Sequence, residues 1–310
     1  MAKVLITGGA GFIGSNVADK MIELGHSVVI IDDLSSGFEY NINPKAKFYK
    51  MDIRDPKLKE VFEKEKPDYV DHHAAQMDVR KSVEDPMFDA DVNIKGGLHV
   101  IMLALEHKVK KFIYASTGGA VYGEPEYLPV DEKHPVNAIS QYGISKHTLE
   151  HYLFLYNYLY GMNYTILRYP NVFGPRQNPH GEAGVNAIFI GMMLEGKTPK
   201  IFGNGTAVRD YIYVGDVVEA NIIAMTKGDK NIYNLGWGRG ISVNEIYAIL
   251  QKLLKFENPP IYAEARAGEI ERVYLDATKA KKELGWEPKV TYEEGLQKTI
   301  DWFREKKPGK

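Results

Sequence analysis

Apolar residues in the first half of the chain fall into short continuous runs that alternate with stretches of helical periodicity. The runs predict buried strands at residues 4–7, 28–31, 47–50, 69–73, 111–115 and 164–168. Helical spacing occupies residues 12–24, 56–66, 87–107 and 140–160 between and after them. This alternation, with strands that are apolar throughout, is typical of a parallel sheet covered by helices on both faces.

Beyond residue 168 the pattern changes. Residues 171–186 are rich in glycine, proline and asparagine, which predicts mostly loop, and the remaining chain mixes short strands and helices. Residues 231–234 are expected to return to the main sheet as a strand. We therefore predict an α/β fold: a Rossmann-type doubly wound parallel sheet with a smaller mixed α/β substrate-binding lobe. The main domain would cover 1–170 plus a returning segment near 208–238, and the lobe would cover 171–207 and 239–310.

Composition narrows the class of protein. The 310 residues include 39 Lys and Arg, 41 Asp and Glu, and no cysteine. This charge balance argues against a nucleic-acid partner, and the lack of cysteine excludes disulfides, thiolate catalysis and cysteine-ligated zinc. No apolar run approaches the ~18–20 residues of a membrane span, and no signal-peptide pattern precedes the first strand. We expect a cytoplasmic protein with no membrane partner and no metal site.

A glycine-rich turn joins the first predicted strand to the first helix. Gly8, Gly11 and Gly14 are spaced GxxGxxG, with Phe12 and Ile13 between the last two. Glycines here allow a tight turn, close approach of backbone N–H groups to a pyrophosphate, and close packing of the helix on the sheet. The helix N-terminus adds positive potential for the phosphates. An ordinary glycine-rich turn is the alternative.

Acidic residues after the next two strands extend this interpretation to a dinucleotide. Asp32 and Asp33 end the second strand, where a carboxylate can bind ribose hydroxyls and would repel a 2′-phosphate, which favours NAD over NADP. Asp52 and Ile53 follow the third strand and are candidate adenine contacts. The alternatives are a capping role for Asp32 and a turn role for Asp52.

Tyr142 and Lys146 form a YxxxK pair on the predicted helix 140–160. Residues four apart share a helix face, so the ammonium would lie near the phenol and, reinforced by a charged nicotinamide, lower its pKa from ~10, which suits a general base. With twenty tyrosines in the chain, the spacing alone is weak evidence. Its weight comes from the fifth strand, which ends at Ser116 and Thr117, either of which can offer a hydroxyl to the reacting oxygen. Strand-end capping is the alternative for both.

These motifs, in this order, make the chain resemble the extended short-chain dehydrogenase/reductase family, and within it the UDP-glucose 4-epimerases. The matching segments are TGGAGFIGS from Thr7, Asp32 to Leu34, HHAAQ from His72, Asn93, STGGAVYG from Ser116, YGISK from Tyr142, LRYPNVFGPRQ from Leu167, VRDYIYVGDV from Val208 and GWEP from Gly285. The resemblance covers nearly the whole chain. It implies bound NAD, a UDP-sugar substrate, and hydride transfer at C4 of the sugar through a 4-keto intermediate.

The resemblance also assigns residues to the two ligands. Thr117 and Tyr142 would flank the sugar hydroxyl, and Lys146 would bind the nicotinamide ribose. Further cofactor contacts would be Ala74, Ala75, Asn93 and Tyr169, and further substrate contacts would be Asn171, Arg209, Arg266 and Glu269. A salt bridge to Asp210 or Asp216 is the alternative for Arg209, and a solvated loop charge is the alternative for Arg266. Asp276 would lie near the nucleotide or support the arginines, and a helix N-cap is the alternative for it.

Gly118 and Gly119 favour epimerisation over related reactions. Dehydratases of the family carry an acidic pair there, and decarboxylases a glutamate, whereas glycine has no group to transfer a proton. We also expect this pair to leave room for the keto sugar to rotate. Three alternatives stay open: a 4-epimerase of UDP-N-acetylhexosamine or UDP-uronate, for which Val273 would set the room at C2; a dehydratase or decarboxylase; and an inactive NAD-binding sensor.

Two further features are not explained by the active site alone: a histidine at position 73 and the apolar surface of helix 140–160. A second histidine, His73, stands where the family usually has leucine, and it is interpreted as a packing variant. The helix 140–160 carries more large apolar residues than one core-facing stripe needs. A homodimer through a four-helix contact, common in the family, would bury the second face. Burial under the smaller lobe is the alternative.

Overall fold

The computed structural model describes residues 1–180, 184–265 and 270–306. Its strands are β1 (Lys3–Thr7), β2 (Ser27–Asp32), β3 (Lys47–Lys50), β4 (Tyr69–His72), β5 (Lys111–Thr117), β6 (Tyr164–Tyr169), β7 (Asn171–Phe173), β8 (Lys200–Phe202), β9 (Val208–Arg209), β10 (Tyr211–Tyr213), β11 (Asn231–Asn234), β12 (Ile241–Ser242), β13 (Ile261–Ala263) and β14 (Arg272–Val273). Its α-helices are α1 (Phe12–Glu23), α2 (Leu58–Glu65), α3 (Val79–Glu84), α4 (Pro86–Ala90), α5 (Gly97–Glu106), α6 (Gln141–Tyr160), α7 (Val185–Leu194), α8 (Val214–Ala224), α9 (Val243–Leu254) and α10 (Tyr292–Lys306).

A seven-stranded parallel sheet in the order β11-β6-β5-β4-β1-β2-β3 forms the centre of the molecule. The chain runs from β1 outward to β3 on one side and from β4 outward to β6 on the other. The strand order therefore reverses between β1 and β4, and ligands of such sheets bind at the carboxyl ends of the strands beside this switch point. The predicted Rossmann-type fold is confirmed, as is the return of residues 231–234 to the sheet.

Helices cover both faces of this sheet. Val17 and Met21 of α1 pack with Val217 of α8 on one face, all of them with no measurable exposure. Phe62 of α2 and Leu149 of α6 pack on the other face, also fully buried. Alternating side chains of every central strand are thus removed from water, which makes the strand ends a rigid base for a site.

The rest of the chain forms smaller sheets with their own core. The pairings are β10 with β7, β13 with β8, and β12-β9-β14. Phe189, Tyr247 and Leu296 belong to the apolar cluster of this region. The predicted returning segment near 208–238 is divided between the two regions. Helix α8 packs on the main sheet and β11 is one of its edge strands, whereas β9 and β10 belong to the small sheets. None of the helices in the described ranges combines the length and apolar character that a bilayer crossing requires.

The prediction of one continuous helix over 87–107 is wrong, because the helix is interrupted. It is divided into α4 and α5 by a π-helical turn at Asp91–Gly96. The wider turn accommodates two tertiary contacts. The amide of Asn93 is held by the backbone of Gln76, and Gly96 lies so close to Ile53 that a Cβ would approach its Cδ1 within 2.9 Å. Turns of this kind are frequent at functional sites.

Candidate active site

The glycine-rich turn forms a cradle of backbone atoms at the carboxyl end of β1. Gly8 has φ +69°, and a Cβ on it would lie 2.7 Å from the Ala74 nitrogen. A Cβ on Gly14 would lie 2.4 Å from the Gly8 oxygen, so α1 approaches the turn as closely as backbone allows. Gly11 is the N-cap of α1 and has no side chain to bind its first N–H groups, which leaves them for an anionic ligand. Phe12 and Ile13, both partly buried, form its first turn.

Asp32 lies beside this cradle at the end of β2. Its carboxylate accepts hydrogen bonds from the backbone N–H of Ala10 (2.9 Å) and Leu34 (2.8 Å). Burial raises the pKa of Asp32, and these bonds oppose that effect. Each oxygen keeps a second lone pair for a ligand hydroxyl. Asp33 differs: it is exposed and accepts from the N–H and hydroxyl of Ser35.

Asp52 is already engaged by a residue that sequence reasoning missed. Its carboxylate accepts from the guanidinium of Arg54 at 2.6–3.1 Å and from the Arg54 backbone N–H at 2.8 Å, and these bonds lower its pKa. Arg54 also donates to Asp91 in the π-helical turn at 2.7 Å. The neighbouring Ile53 is buried, and its carbonyl accepts from Nδ1 of His99 at 2.8 Å. The turn role left open for Asp52 is therefore present.

These features fit a bound dinucleotide such as NAD. A backbone cradle too tight for side chains, an uncapped helix N-terminus and an acid at the end of β2 are the groups that recognise a pyrophosphate and a ribose diol. They lie at the switch point between β1 and β4.

Tyr142 and Lys146 lie in the first turns of α6, whose N-cap is Ser140. The Lys146 ammonium stands 4.5 Å from the centre of the Tyr114 ring. Burial lowers the pKa of Lys146 to about 7, against the opposing charges of Glu150 and Asp89. Burial and the charge of Asp89 raise the pKa of Tyr142, so the predicted lowering by Lys146 is not met in the protein alone. An additional positive charge is needed to make this phenol a base near neutral pH.

Ser116 and Thr117 separate at the end of β5. Side chains alternate between the two faces of a strand. The Ser116 hydroxyl points to α6 and donates to Glu150 at 2.5 Å, and Glu150 also accepts from Arg168 at 2.9 and 2.5 Å. Ser116 is thus part of a buried network. Thr117, the last residue of the strand, is only partly buried and lies on the other face. Of the two predicted hydroxyls, the geometry favours Thr117.

Asn93 belongs to a second buried network, centred on Asp89. The Asn93 amide accepts from the Gln76 N–H at 2.8 Å and donates to the Gln76 carbonyl and to Asp89, each at 2.9 Å. Asp89 also accepts from the Gln76 amide at 3.1 Å and the Ser145 hydroxyl at 2.5 Å. The Asn93 side chain therefore hydrogen-bonds to protein groups, so any effect it has on a cofactor is indirect. Asp89 itself was missed, although it stands four residues before Asn93 on the same helical stretch.

Comparison with known proteins decides the family. Residues 4–236 match the model of the NAD dependent epimerase/dehydratase family. The chain belongs to that family. NAD is therefore the cofactor of this chain, and the glycine cradle and Asp32 have the chemistry to bind it.

Relatives of this family member cover it from end to end. The UDP-glucose 4-epimerase of Mycolicibacterium smegmatis is 41% identical in an alignment of 310 positions that covers 98% of this chain and 99% of the relative. A UDP-glucose 4-epimerase crystallised with UDP-glucose, from Thermotoga maritima, has 48% identity and a TM-score of 0.97, covering 98% of this chain and 99% of that one. The UDP-glucose 4-epimerase of Thermus thermophilus, crystallised with NAD, has 40% identity and a TM-score of 0.92 over 97% and 99% of the two chains.

A small pocket of this epimerase/dehydratase family member opens at the carboxyl ends of β5 and β6. Its walls are Gly118, Gly119, Pro170, Asn171, Asp210, Val273 and Leu275. Asn171, predicted as a substrate contact, is exposed at the start of β7. Val273, predicted to set the room at C2, is buried in β14 and faces the pocket.

The two pocket glycines do not play the same part. A Cβ on Gly118 would lie 2.3 Å from Cδ1 of Leu275, whereas a Cβ on Gly119 would meet only the Thr117 Oγ1, at 3.9 Å. The expectation that both glycines leave room for a rotating sugar is therefore wrong for Gly118, because Leu275 already fills that space. Gly119 alone faces open volume.

Of the two arginines predicted to bind substrate, the structure describes Arg209 but not Arg266. Nη1 of Arg209 donates to the Val208 carbonyl at 3.0 Å. The carboxylates proposed as its alternative partners are held by backbone groups instead: Asp210 by Trp237 N–H at 3.1 Å and Asp216 by Val290 N–H at 3.1 Å. Within the described residues, the Arg209 guanidinium donates through Nη1 alone, to the carbonyls of Val208 and Glu271. Arg266 and Glu269 lie outside the described residues. The Asp276 side chain caps the following turn, accepting from Thr278 N–H at 2.7 Å.

The unusual His73 has a partner. Its Nε2 lies 2.9 Å from Oδ1 of Asp71, which is fully buried two residues earlier on the same face. Its ring stacks on Tyr169 with centroids 6.4 Å apart, and the Tyr169 hydroxyl donates to Asn221 at 2.9 Å. His73 thus packs on Tyr169 beside a buried acid, in keeping with the packing role that the sequence indicated.

Ala74 and Ala75, predicted cofactor contacts, follow His73 at the exit of β4, and both are partly buried. The Ala74 N–H donates to the Thr7 hydroxyl at 3.2 Å, which ties this exit to β1 at the switch point. Ala74 also borders the glycine cradle, since its nitrogen is the atom that excludes a side chain at Gly8.

Proposed function

We propose that the chain is a UDP-glucose 4-epimerase, which interconverts UDP-galactose and UDP-glucose through a 4-keto intermediate. One observation carries the proposal most directly. Tyr142 and Lys146 occupy the start of α6 beside the end of β5, and the positions after Thr117 are glycines with no acid for elimination. The names of the full-length relatives support the same activity.

In this mechanism Tyr142 takes the proton of the sugar 4-hydroxyl and Thr117 holds the same oxygen by a hydrogen bond. Lys146 binds the nicotinamide ribose and offsets the negative charge of the phenolate. The glycine cradle and Asp32 would hold NAD, which when bound would supply a reversible acceptor for the C4 hydride and, through its positive ring, the charge that Tyr142 requires. The keto sugar turns over while the nucleotide stays anchored.

The proposed ligand contacts divide along the chain. Residues 1–170 with the segment near 208–238 hold NAD, through the glycine cradle, Asp32, Asp33, Asp52, Ile53, Ala74, Ala75 and Tyr169, with Asn93 acting indirectly. Residues 171–207 and 239–310 hold the UDP-sugar, together with Arg209 from the returning segment. Asn171, Arg209, Arg266 and Glu269 are the proposed contacts, and a forked guanidinium suits a diphosphate.

The test is product identification without added cofactor. Purified protein is incubated separately with UDP-galactose, UDP-N-acetylglucosamine and UDP-glucuronate, and each product is identified by NMR. We expect UDP-glucose from UDP-galactose, with bound NAD unchanged because no net oxidation occurs. Tyr142→Phe is the control and should lose turnover. Loss of water or carbon dioxide from a substrate would instead identify a dehydratase or decarboxylase, and bound NAD without any product would identify a sensor.

The proposal includes a cytoplasmic homodimer formed through α5 and α6. In the single chain, Phe154, Tyr158 and Leu159 of α6 are 60%, 79% and 53% exposed, and Met102 of α5 is 52% exposed. The smaller lobe does not cover them, so the alternative burial is wrong. Pairing this face with a second copy would bury it in a four-helix contact. Sedimentation should give a dimer, and Tyr158→Glu should give a monomer.

A further inference from the structure

The proposed mechanism does not use the carboxylate of Asp89. This residue lies in α4 and is buried against the first turns of α6. It has no measurable exposure. Oδ2 accepts from the Ser145 hydroxyl at 2.5 Å, and Oδ1 accepts from the Asn93 amide at 2.9 Å and the Gln76 amide at 3.1 Å. These three donors are neutral groups. They satisfy the oxygens of Asp89 without neutralising its charge, and a buried charge is costly unless it is compensated.

Two carboxylates act on the Lys146 ammonium, and they differ in how they are compensated. Glu150, one turn further along α6, accepts two hydrogen bonds from Arg168, at 2.9 and 2.5 Å, so a guanidinium compensates its charge, although its effect on the pKa of Lys146 is still the larger of the two. Among the residues that the structure describes, the side-chain donors to Asp89 are Ser145, Asn93 and Gln76, and none of them is a guanidinium. Lys146, the residue next to Ser145, is the cation on which the charge of Asp89 acts.

We infer that Asp89 is a positioning residue of the reaction: its hydrogen bond from Ser145 fixes this face of α6, and its carboxylate, together with Glu150, is a counter-charge that favours the ammonium form of the buried Lys146. The inference rests on the proposed roles of Lys146 and Tyr142. It adds a residue that touches neither substrate nor cofactor and acts through Lys146.

The direction of the expected effect follows from charge. Removing a negative charge favours the deprotonated form of every neighbouring group, so the pKa values of Lys146 and Tyr142 should both fall. Among the described residues, the other charged or titratable groups around this cluster are His72 of β4, Tyr114 of β5, His147 and Glu150 of α6, and Arg168 of β6. The pH profile of kcat should then move as a whole to lower pH: its acid limb follows Tyr142 and its alkaline limb follows loss of the Lys146 charge.

The experiment compares Asp89→Asn and Asp89→Ser with the unaltered protein, each with the NAD it carries on purification. Both substitutions remove the same charge but differ in hydrogen bonding, so an effect of charge shifts both profiles equally. We expect a shift of about one pH unit toward lower pH and a fall in kcat above neutrality. Asp85→Asn is the matched control, because Asp85 is an exposed acid one helical turn earlier that caps α4. Its profile should not move.

Thermal unfolding and NAD content show that the variants are folded. Folded variants with the unaltered pH profile would overturn the inference, as would two variants that shift by different amounts. Loss of folding in both would assign Asp89 to stability alone and also count against it. If the unaltered protein does not epimerise any UDP-sugar, the proposed function fails as well. If the unaltered protein epimerises a UDP-sugar and the Asp89 variants have the same pH profile of kcat, the inference alone fails.

Discussion

Replacing Lys146 with methionine should abolish turnover and, at the same time, stabilise the cofactor-free protein. The ammonium is buried at the start of α6, where an aromatic ring, Tyr114, lies 4.5 Å away and burial lowers its pKa to about 7. A lysine in the unfolded chain has a pKa of ~10.4. Folding therefore disfavours the charged form, and methionine removes that cost while keeping a flexible apolar stem of similar length.

The size and pH dependence of this effect follow from the two pKa values. A difference of roughly 3.5 units at 1.36 kcal/mol each gives an upper bound of about 4–5 kcal/mol. Between pH ~7 and ~10.4 the unfolded chain binds more protons than the folded one, so the stability of the unaltered protein rises with pH in this window. The advantage of Lys146→Met should be greatest at or below pH ~7 and should vanish above pH ~10.4.

Urea unfolding at several pH values, on protein stripped of nucleotide, measures this directly. Lys252→Met is the matched control, since it makes the same chemical change at an exposed position of α9, where a shift within about 0.5 kcal/mol is expected. A Lys146→Met protein that is no more stable than the unaltered one at neutral pH would refute the reasoning. So would an advantage that does not shrink as pH rises.

Two further substitutions test the cradle and the network beside β5. Gly14→Ala places a Cβ 2.4 Å from the Gly8 oxygen, so it should cost about 1–3 kcal/mol and lower the NAD content, read from thermal unfolding and absorbance. For Glu150, burial is the largest single effect and raises the pKa, but the hydrogen bonds from Arg168, His147 and Ser116 together outweigh it and lower the pKa to about 2. Its stabilising contribution is present above pH ~4.3 and lost as pH falls toward 2, so up to about 3 kcal/mol of acid sensitivity should be missing in Glu150→Gln, as measured by urea unfolding against pH.

The fold could be predicted because its determinants are local and periodic. Continuous apolar strands separated by helices specify a parallel sheet wherever they occur, and β3 and β6 begin at the predicted residues. The glycine turn and Asp32 were predictable for a related reason. Their roles depend on backbone geometry at strand ends, and the spacing of a few residues defines that geometry.

What could not be predicted depends on contacts between distant segments. The π-helical turn exists because Asn93 and Gly96 meet Gln76 and Ile53, and nothing in the helical periodicity marks those partners. The engagement of Ser116 likewise depends on a glutamate 34 residues away. The pKa of Tyr142 in the protein alone could not be predicted for the same reason: burial is a property of the whole fold and raises this pKa, and the positive nicotinamide on which the expected lowering also depends is not part of the chain.

The pocket glycines offer a matched pair in which only the surroundings differ. Gly118→Ala directs a methyl group to within 2.3 Å of a Leu275 side chain that has 1% exposure, so Leu275 must move. Gly119→Ala meets only the Thr117 hydroxyl, at 3.9 Å. We expect Gly118→Ala to lose about 1–3 kcal/mol of stability with a fall in kcat, and Gly119→Ala to stay as stable as the unaltered protein while raising KM for the sugar nucleotide. Equal stabilities for the two variants would contradict this account. If only Gly118→Ala loses stability and Leu275→Ala then restores kcat to it, the leucine, rather than empty space, is what requires glycine at position 118.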